Sequence, residues 1–383
     1  MRPLTWHDHR FKDGMLTTTS PRTTTSSTCP VWATLFAAVA MVWPTAAAAA
    51  AVPTASTTAT SSSRQPKVVV FTPGILGYKS LAALGDYWGV VPKRLHALGF
   101  VVVERAPGPV EAPSTRAIDL ARDVADVLEK TGAERVVIIA HSQGGLDVRA
   151  ALDEVPGFAD MVGAVATLSS PHRGSPMADV GFALPQPLVH TVLDGLHWMF
   201  EADQGLASRP SAVEACLTAL STPGATAFNE EHPTSPVPFF SVGAVTGRDI
   251  DGVCASGVWG PPVVEDAAGP ASLWNRAAIK MMVGDVSNDG VVPTASMRFG
   301  TFLGCVPADH GDWMGWVSHP LEEELVWSAT PFLVELAESL VDVDRYGVRA
   351  MTAHLPALAL LARSSTSTST LLPLRITEQN SFN

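Results

Sequence analysis

A short apolar run that ends in a serine turn constrains the fold of this chain more than any other stretch. The Val and Ile residues at 136–139 are typical of a buried strand, and the residues from Leu146 onward predict a helix. Ser142 lies in the turn between them, with Ala140 two residues before it and Gly144 two residues after it. A turn this tight leaves no room for large side chains at those two positions. The pattern predicts a nucleophilic serine, and the alternative is a serine that caps the helix N-terminus.

Apolar runs and amphipathic stretches alternate along the chain, which predicts a mostly parallel central sheet with helices on both faces. Besides the run before Ser142, strands are predicted at 67–71, 100–104, 162–168 and 238–244. Helices are predicted at 87–98, 115–131 and 146–152, with a closing helix at 320–341. A hydrophobic content of 46% over 383 residues is enough for one large α/β domain or two small ones.

The charge of the chain is acidic, with a formal net charge of −12 at pH 7. Proteins that bind nucleic acids cluster Lys and Arg to contact phosphates. The composition therefore argues against a nucleic-acid partner, and it otherwise bears on solubility rather than on the fold.

The N-terminal segment 1–52 has the pattern of an export leader. Basic residues come first, and an apolar, alanine-rich stretch at 31–52 ends in small residues of the Ala-x-Ala kind. A single membrane anchor is the alternative. Residues 53–65 are rich in Ser and Thr and predict a linker, residues 363–383 predict a loosely ordered tail, and 66–362 remain for the globular domain. We expect a secreted protein, with periplasmic and membrane-anchored locations as the alternatives.

Three of the four cysteines lie outside the leader, namely Cys216, Cys254 and Cys305. An exported protein would pair two of them and leave one free. Cys254 with Cys305 is the preferred pair, although the sequence alone does not determine the connectivity. No Cys/His spacing resembles a zinc site.

Two polar loops downstream of Ser142 carry candidate partners for it. A serine hydroxyl needs a base within hydrogen-bond distance, and the base needs an acid that orients it. Asp289 lies in an Asn-Asp-Gly turn, and His310 lies in a polar loop further on. Asp285 competes with Asp289 for the role of the acid, and His319 competes with His310 for the role of the base.

Taken together, several motifs are similar to those of one known family. The motifs are Gly74-Ile75-Leu76-Gly77, Asp86-Tyr87-Trp88-Gly89, His141-Ser142-Gln143-Gly144-Gly145, Ser170-Pro171-His172-Arg173-Gly174-Ser175, Asn288-Asp289-Gly290-Val291-Val292 and His310-Gly311-Asp312. They resemble the secreted bacterial true lipases, the triacylglycerol lipases whose best-known members need a dedicated foldase and bind calcium. The resemblance spans most of the mature chain and implies an α/β-hydrolase fold.

The resemblance also implies the roles of the site residues. The triad order of that fold, serine then acid then histidine, matches Ser142, Asp289 and His310. The oxyanion donors would be the backbone N–H groups of Ile75 and Gln143. Arg116 lies where the family places an arginine that supports the oxyanion loop.

The chain departs from the family in three places. Pro73-Gly74 stands where the family has His-Gly, and the family's disulfide does not map onto these cysteines. For calcium, Asp312 matches one family ligand and Asp266 aligns loosely with another, but Trp316 replaces a glutamine. Calcium takes six to eight oxygen ligands, so a lost ligand leaves the site open. The alternative for Asp312 is a carboxylate that caps its own loop.

The activity implied is hydrolysis of carboxylic esters, with long-chain triacylglycerols at a water–lipid interface favoured. Residues 177–220 are apolar and irregular, and we expect a helical lid insertion there; core helices are the alternative. The chemistry needs no cofactor. A dedicated foldase is an expected partner, and we expect a monomer.

Two other functions remain open at this point. A short-chain carboxylesterase, a polyester hydrolase or an acyltransferase would use the same triad. A protein of the same fold that binds lipid without catalysis is the second alternative, and an intact triad argues against it.

Overall fold

The computed structural model describes residues 65–81, 85–183, 210–247, 249–260, 277, 279–281, 284–314 and 327–363. They belong to the second of two compact units, Met1–Thr60 and Ser61–Asn383. The predicted leader 1–52 lies outside the described residues, as do nearly all of the linker 53–65 and the tail 363–383. Within the described ranges, no helix is long and apolar enough to cross a membrane.

Six parallel strands form the central sheet of the second unit. The strands within the described residues are β1 (Lys67–Thr72), β2 (Ser80–Leu81), β3 (Gly85–Asp86), β4 (Phe100–Glu104), β5 (Val136–His141), β6 (Val162–Leu168), β7 (Phe239–Ala244) and β8 (Thr301–Val306). The order in the sheet is β4-β1-β5-β6-β7-β8, and every pair is parallel. The short β2 and β3 form a separate antiparallel pair. The predicted parallel sheet is confirmed, with strand bounds within one or two residues.

Helices cover both faces of this sheet, as predicted. They are α1 (Val91–Ala97), α2 (Pro113–Thr131), α3 (Gly144–Glu154), α4 (Pro176–Ala183), α5 (Pro210–Leu220), α6 (Thr222–Glu231), α7 (Ala329–Tyr346) and α8 (Met351–Leu361). Val68 and Val70 of β1 face α2 and α3, whereas Val69 and Phe71 face α1, α7 and α8. Because both faces are covered, the strands are continuously apolar rather than alternating.

Two predicted helices begin elsewhere in the structure. The helix predicted at 87–98 begins at Val91, because residues 87–90 form a turn that places the rings of Tyr87 and Trp88 in the core. The closing helix predicted at 320–341 is described from Ala329 and continues to Tyr346. Its first predicted residues lie outside the described ranges.

The strand β8 was not predicted from the sequence. Gly304 interrupts its apolar run, and a Cβ at this position would lie 2.3 Å from the Trp259 indole. The segment that contains Trp259 runs along β8: Val258 N–H donates to the Phe302 carbonyl over 3.3 Å, and Trp259 N–H donates to the Leu303 carbonyl over 3.0 Å. The glycine therefore makes room for a packed tryptophan, and it does not mark an irregular loop.

The predicted Cys254–Cys305 pair is a disulfide, with an S–S distance of 2.01 Å. Cys305 belongs to β8, and Cys254 lies in a short 3₁₀ turn four residues before Val258. The bond therefore ties this segment to the sheet. Cys216 on α5 is a buried free thiol.

The predicted lid at 177–220 is described only at its two ends. They form α4 and α5, which pack together through Ala178, Cys216 and Leu220. Residues 184–209 lie outside the described ranges.

Candidate active site

Ser142 lies in a sharp turn between β5 and α3. Its φ is +53°, in the left-handed region that non-glycine residues seldom adopt. Its N–H donates to the carbonyl of Leu168 at the end of β6 over 2.9 Å. A Cβ on Gly144 would lie 2.6 Å from the Thr72 carbonyl oxygen, so only glycine fits there. Backbone strain held by its surroundings in this way is typical of a reactive serine.

His310 lies beside Ser142, at the carboxyl edge of the sheet. Its Nε2 is 2.9 Å from Ser142 Oγ, although 168 residues separate the two in sequence. The loop after β8 places the ring there, with a side-chain exposure of 14%. The imidazole can therefore accept the serine proton.

Asp289 lies on the far side of the same imidazole. Its Oδ2 is 2.7 Å from His310 Nδ1, and its side chain has no solvent exposure. Its Oδ1 accepts from the N–H groups of Val291, over 3.0 Å, and of Val292, over 2.8 Å. The His310 N–H also donates to the Asp289 carbonyl over 2.9 Å. These bonds fix the carboxylate and orient His310 with its proton on Nδ1.

The two competing residues are placed differently. Asp285 pairs with Lys280 at 2.7 Å, and both side chains are exposed. His319 lies outside the described residues. The structure therefore brings Asp289, and not Asp285, to His310.

The predicted oxyanion loop, residues 73–77, lies against the turn that contains Ser142. A Cβ on Gly74 would lie 2.7 Å from Ser142 Cβ, so the loop approaches this closely only because the residue is glycine. Leu76 has a φ of +55°, and its N–H donates to the Pro109 carbonyl over 2.6 Å. Among the described residues, the backbone N–H groups of Ile75 and Gln143 have no protein acceptor. Both predicted donors are therefore available beside Ser142.

Arg116 of α2 holds this loop through hydrogen bonds to its backbone carbonyls. Its guanidinium donates to the carbonyls of Gly74, over 3.0 Å, and of Pro73, over 2.6 Å. Its Nε lies 2.8 Å from Asp147 Oδ2 on α3, and neither side chain is exposed. Burial raises the pKa of Asp147 to about 6, although Arg116 and Arg105 lower it. The arginine thus joins the loop to both helices on one face of the sheet.

The backbone N–H of Gln143 was a predicted donor, but the contacts of its side chain and those of Trp313 were not predicted from the sequence. The Gln143 side chain donates to the Glu111 carbonyl over 2.7 Å and accepts from Cys216 Sγ over 3.3 Å. Burial raises the pKa of the Cys216 thiol to about 12, so it stays protonated and can donate. Trp313 could have been found from the sequence by its position three residues after His310. Its Nε1 donates to Ser169 Oγ over 2.8 Å, and this bond connects the loop of His310 to the end of β6.

Of the two predicted calcium ligands, only Asp312 lies among the described residues. Asp312 Oδ2 accepts from the Asp309 N–H over 2.8 Å, as expected for a carboxylate that caps its own loop. Asp266 and Trp316 lie outside the described ranges. Where the structure describes the chain, no group of three or more His, Cys, Asp or Glu residues could hold a metal ion.

A family model described as alpha/beta hydrolase fold matches residues 67–201. This range contains β1, the oxyanion loop and the nucleophile turn, and the six-stranded parallel sheet has already been described. The chain has the α/β-hydrolase fold. The fold predicted from the sequence is confirmed.

Known proteins with similar sequences include bacterial triacylglycerol lipases. One from Vibrio cholerae serotype O1 is 26% identical over 249 residues, which cover 63% of this chain and 77% of the relative. One from Pseudarthrobacter phenanthrenivorans is 35% identical over 122 residues, which cover 31% of this chain and 37% of the relative. Among solved structures, the mature form of Bacillus licheniformis lipase BlEst2 has a TM-score of 0.47 at 19% identity, covering 65% of this chain and 86% of that one.

Proposed function

We propose that this protein is a serine hydrolase of carboxylic esters, with triacylglycerols as the favoured substrates. The proposal rests on a continuous chain of hydrogen bonds. Ser142 Oγ lies 2.9 Å from His310 Nε2, and His310 Nδ1 lies 2.7 Å from Asp289 Oδ2. Such a chain of hydrogen bonds activates a serine hydroxyl that is otherwise a poor nucleophile.

The reaction has two halves. Ser142 Oγ attacks the ester carbonyl while His310 Nε2 takes its proton, and Asp289 stabilises the imidazolium that results. His310 then gives the proton to the leaving alcohol, which leaves an acyl group on Ser142. Water, deprotonated by His310, releases the carboxylic acid and restores the serine.

The negative oxygen of each tetrahedral intermediate lies between the N–H groups of Ile75 and Gln143. A donor of this kind typically contributes about 2.7–4 kcal/mol to lowering the barrier. Arg116 takes no part in proton transfer, because its guanidinium is bonded to the loop carbonyls and to Asp147. Its role is to hold the loop in place.

The choice of triacylglycerols is supported by the Vibrio cholerae and Pseudarthrobacter relatives, which are triacylglycerol lipases. The apolar sequence at 177–220 also suits a lid that turns toward a lipid surface. A short-chain carboxylesterase, polyester hydrolase or acyltransferase would share the same triad. The leader pattern supports secretion, and a monomer assisted by a foldase remains part of the proposal.

Calcium has no part in the mechanism proposed. A structural calcium ion stays part of the proposal: of its two expected ligands, Asp312 accepts from the Asp309 N–H, and Asp266 lies outside the described residues. No step of the reaction depends on a metal ion.

Ester hydrolysis across chain lengths tests the proposal directly. Wild type and Ser142→Ala would be compared on p-nitrophenyl esters from short to long acyl chains and on emulsified triolein, each with and without a chelator. Triolein and long-chain hydrolysis that disappears in Ser142→Ala supports a lipase. Activity limited to short soluble esters indicates a carboxylesterase, and activity that survives Ser142→Ala contradicts the assignment of the nucleophile. Absence of any Ser142-dependent labelling by a fluorophosphonate in folded protein favours the non-catalytic alternative.

A further inference from the structure

The hydroxyl of Tyr87 connects the oxyanion loop to the residue that precedes the nucleophile. Tyr87 Oη accepts from the Gly74 N–H over 3.0 Å and lies 2.7 Å from His141 Nδ1. Both side chains are in the core, with exposures of 2% for Tyr87 and 1% for His141. We call this arrangement of Gly74 N–H, Tyr87 hydroxyl and His141 imidazole the Tyr87 bridge.

The proton positions in the Tyr87 bridge follow from counting donors. The Gly74 N–H can only donate, so it uses an acceptor site of the Tyr87 oxygen. The hydroxyl has one proton, and we assign it as a donor to His141 Nδ1, the nitrogen beside it. With this assignment a neutral His141 carries its proton on Nε2, which the nitrogen NMR experiment described below tests.

The ionisation of the two groups agrees with this arrangement. Burial raises the pKa of the Tyr87 hydroxyl above its ordinary value, so it stays protonated. Burial lowers the pKa of His141 well below its ordinary value, and the nearby His310 lowers it further. The two imidazole rings lie 4.7 Å apart between centroids. Because His141 stays neutral, it does not oppose the positive charge that His310 acquires during catalysis.

The Tyr87 bridge spans the two segments that carry the proposed oxyanion donors. Ile75 directly follows Gly74, and Gln143 follows His141 and Ser142. A Cβ on Gly74 would lie 2.7 Å from Ser142 Cβ and 3.4 Å from Tyr87 Oη, so the three residues are in close contact. Arg116 holds the Gly74 carbonyl from the other side. Without the Tyr87 hydroxyl, no bond of the Gly74 N–H would fix its distance from the nucleophile turn.

We propose that Tyr87 and His141 are positioning residues that hold the N–H groups of Ile75 and Gln143 at the spacing needed to bind one oxyanion. This inference rests on the proposed ester hydrolysis. Two donors on separate segments stabilise the same oxygen only if their separation is fixed in advance. Misplacement by about 1 Å can cost about 100-fold in rate.

The kinetic test removes the hydroxyl or the acceptor one at a time. Tyr87→Phe keeps the ring and removes the hydroxyl. His141→Leu removes the acceptor, whereas His141→Asn keeps an oxygen near the position of Nδ1. Tyr78→Phe is the matched control, because Tyr78 is a second buried tyrosine whose ring lies 5.3 Å from that of Tyr87. Active sites are counted with a fluorophosphonate, so that any loss of folded protein is separated from a loss of rate.

In Tyr87→Phe and His141→Leu, we expect kcat per active site to fall by about 10- to 100-fold with KM unchanged. The inhibition constant of a trifluoromethyl ketone, which forms a tetrahedral adduct with serine, should rise by the same factor, because only transition-state binding is lost. His141→Asn should recover most of the rate that His141→Leu loses, and Tyr78→Phe should behave as wild type. Unchanged kcat and inhibition constant in Tyr87→Phe would overturn the inference, as would equal losses in His141→Asn and His141→Leu.

Nitrogen NMR tests the Tyr87 bridge without reference to activity. In ¹⁵N-histidine-labelled protein, the His141 signals, assigned from their absence in His141→Asn, should report a neutral ring protonated on Nε2 from about pH 5 to about pH 8. The Nδ1 signal should shift in Tyr87→Phe. A proton on Nδ1 overturns the bridge even if esters are hydrolysed. A wild type without Ser142-dependent hydrolysis overturns the proposed function, and with it the positioning role.

Discussion

Single residues in this site are distinguished by their partners more than by their type. Asp285 and Asp289 lie four positions apart, yet one pairs with an exposed lysine and the other is buried against an imidazole. Both oxygens of Asp289 are in use, Oδ1 with two backbone N–H groups and Oδ2 with His310. A buried carboxylate with this set of bonds orients the histidine ring.

Asp289→Asn should lower kcat by about 10³- to 10⁴-fold, because an amide cannot stabilise the imidazolium and favours the wrong tautomer of His310. Asp285→Asn is the matched control and should retain wild-type activity. Steady-state hydrolysis of a soluble p-nitrophenyl ester measures both. Equal losses in the two variants would mean that the acid has been misassigned.

The sequence indicates Ser142 by a local pattern, namely the apolar run before it and the small residues on either side. Asp289 and His310 were chosen over Asp285 and His319 because their loops resemble those of the lipase family. The Tyr87 bridge could not be predicted in this way. Tyr87 and His141 are 54 residues apart, and no local pattern records a contact between them.

At the scale of elements, most buried strands could be predicted from the sequence, whereas the strand β8 and the start of the helix α1 could not. β1, β4 and β5 each contain at least four consecutive apolar residues, and these runs predict them. β6 and β7 were also predicted, although Gly163 and Gly243 lie within them. Gly304 interrupts β8, and only the tertiary contact with Trp259 explains the glycine. The start of α1 was predicted too early for a related reason. Tyr87 and Trp88 fill the core, but they do so from a turn, and the sequence alone does not distinguish them from the first residues of a helix.

Arg116 provides a test of how elements are joined, since it connects α2, α3 and the oxyanion loop. Arg116→Met leaves Asp147 buried without its partner. We expect this variant to have an unfolding free energy about 3–5 kcal/mol lower than that of wild type. In the double variant Arg116→Met/Asp147→Leu, stability should recover while activity stays low, because the Gly74 and Pro73 carbonyls still lack their donor. Urea unfolding and ester hydrolysis, measured side by side, separate the two effects. Recovery of both together would show that Arg116 acts on stability alone.

At the scale of the whole molecule, two features outside the active site bear on stability. The disulfide closes a loop with a sequence separation of 51 residues. The second feature joins α7 to α8: His354 Nδ1 lies 2.8 Å from Glu335 Oε1, and its Nε2 lies 3.0 Å from Asp342 Oδ2. Neither feature touches the triad, so both can be altered without changing the chemistry.

Loss of the disulfide should lower the unfolding free energy by about 4 kcal/mol, from the entropy of the opened loop. Cys254→Ser/Cys305→Ser would be compared with wild type by urea unfolding, with and without dithiothreitol. Cys216→Ala is the control and should remain as sensitive to dithiothreitol as wild type. A double variant as stable as wild type would contradict the expectation.

The His354 pair should make stability depend on pH in a defined direction. Burial lowers the pKa of His354, but its hydrogen bonds with Glu335 and Asp342 raise it by more, so the net pKa lies above the ordinary value. A histidine whose pKa is raised on folding contributes stability at low pH and loses that contribution as pH rises through the folded pKa. His354→Asn should therefore be less stable than wild type near pH 5.5 and nearly equal to it near pH 9. Thermal unfolding at the two pH values measures this, and a constant difference would rule out the pair.

The segment along β8 has a further consequence. Among the described strands, β8 lies at the edge of the sheet, and its outer side would otherwise present unpaired N–H and C=O groups to other chains. Val258 and Trp259 occupy part of that side with their own hydrogen bonds, and the bond from Cys254 to Cys305 keeps them there. Under reducing conditions we expect the segment to lose this tether and to leave the strand open to pairing with other chains. We therefore expect reduction to favour aggregation as well as unfolding.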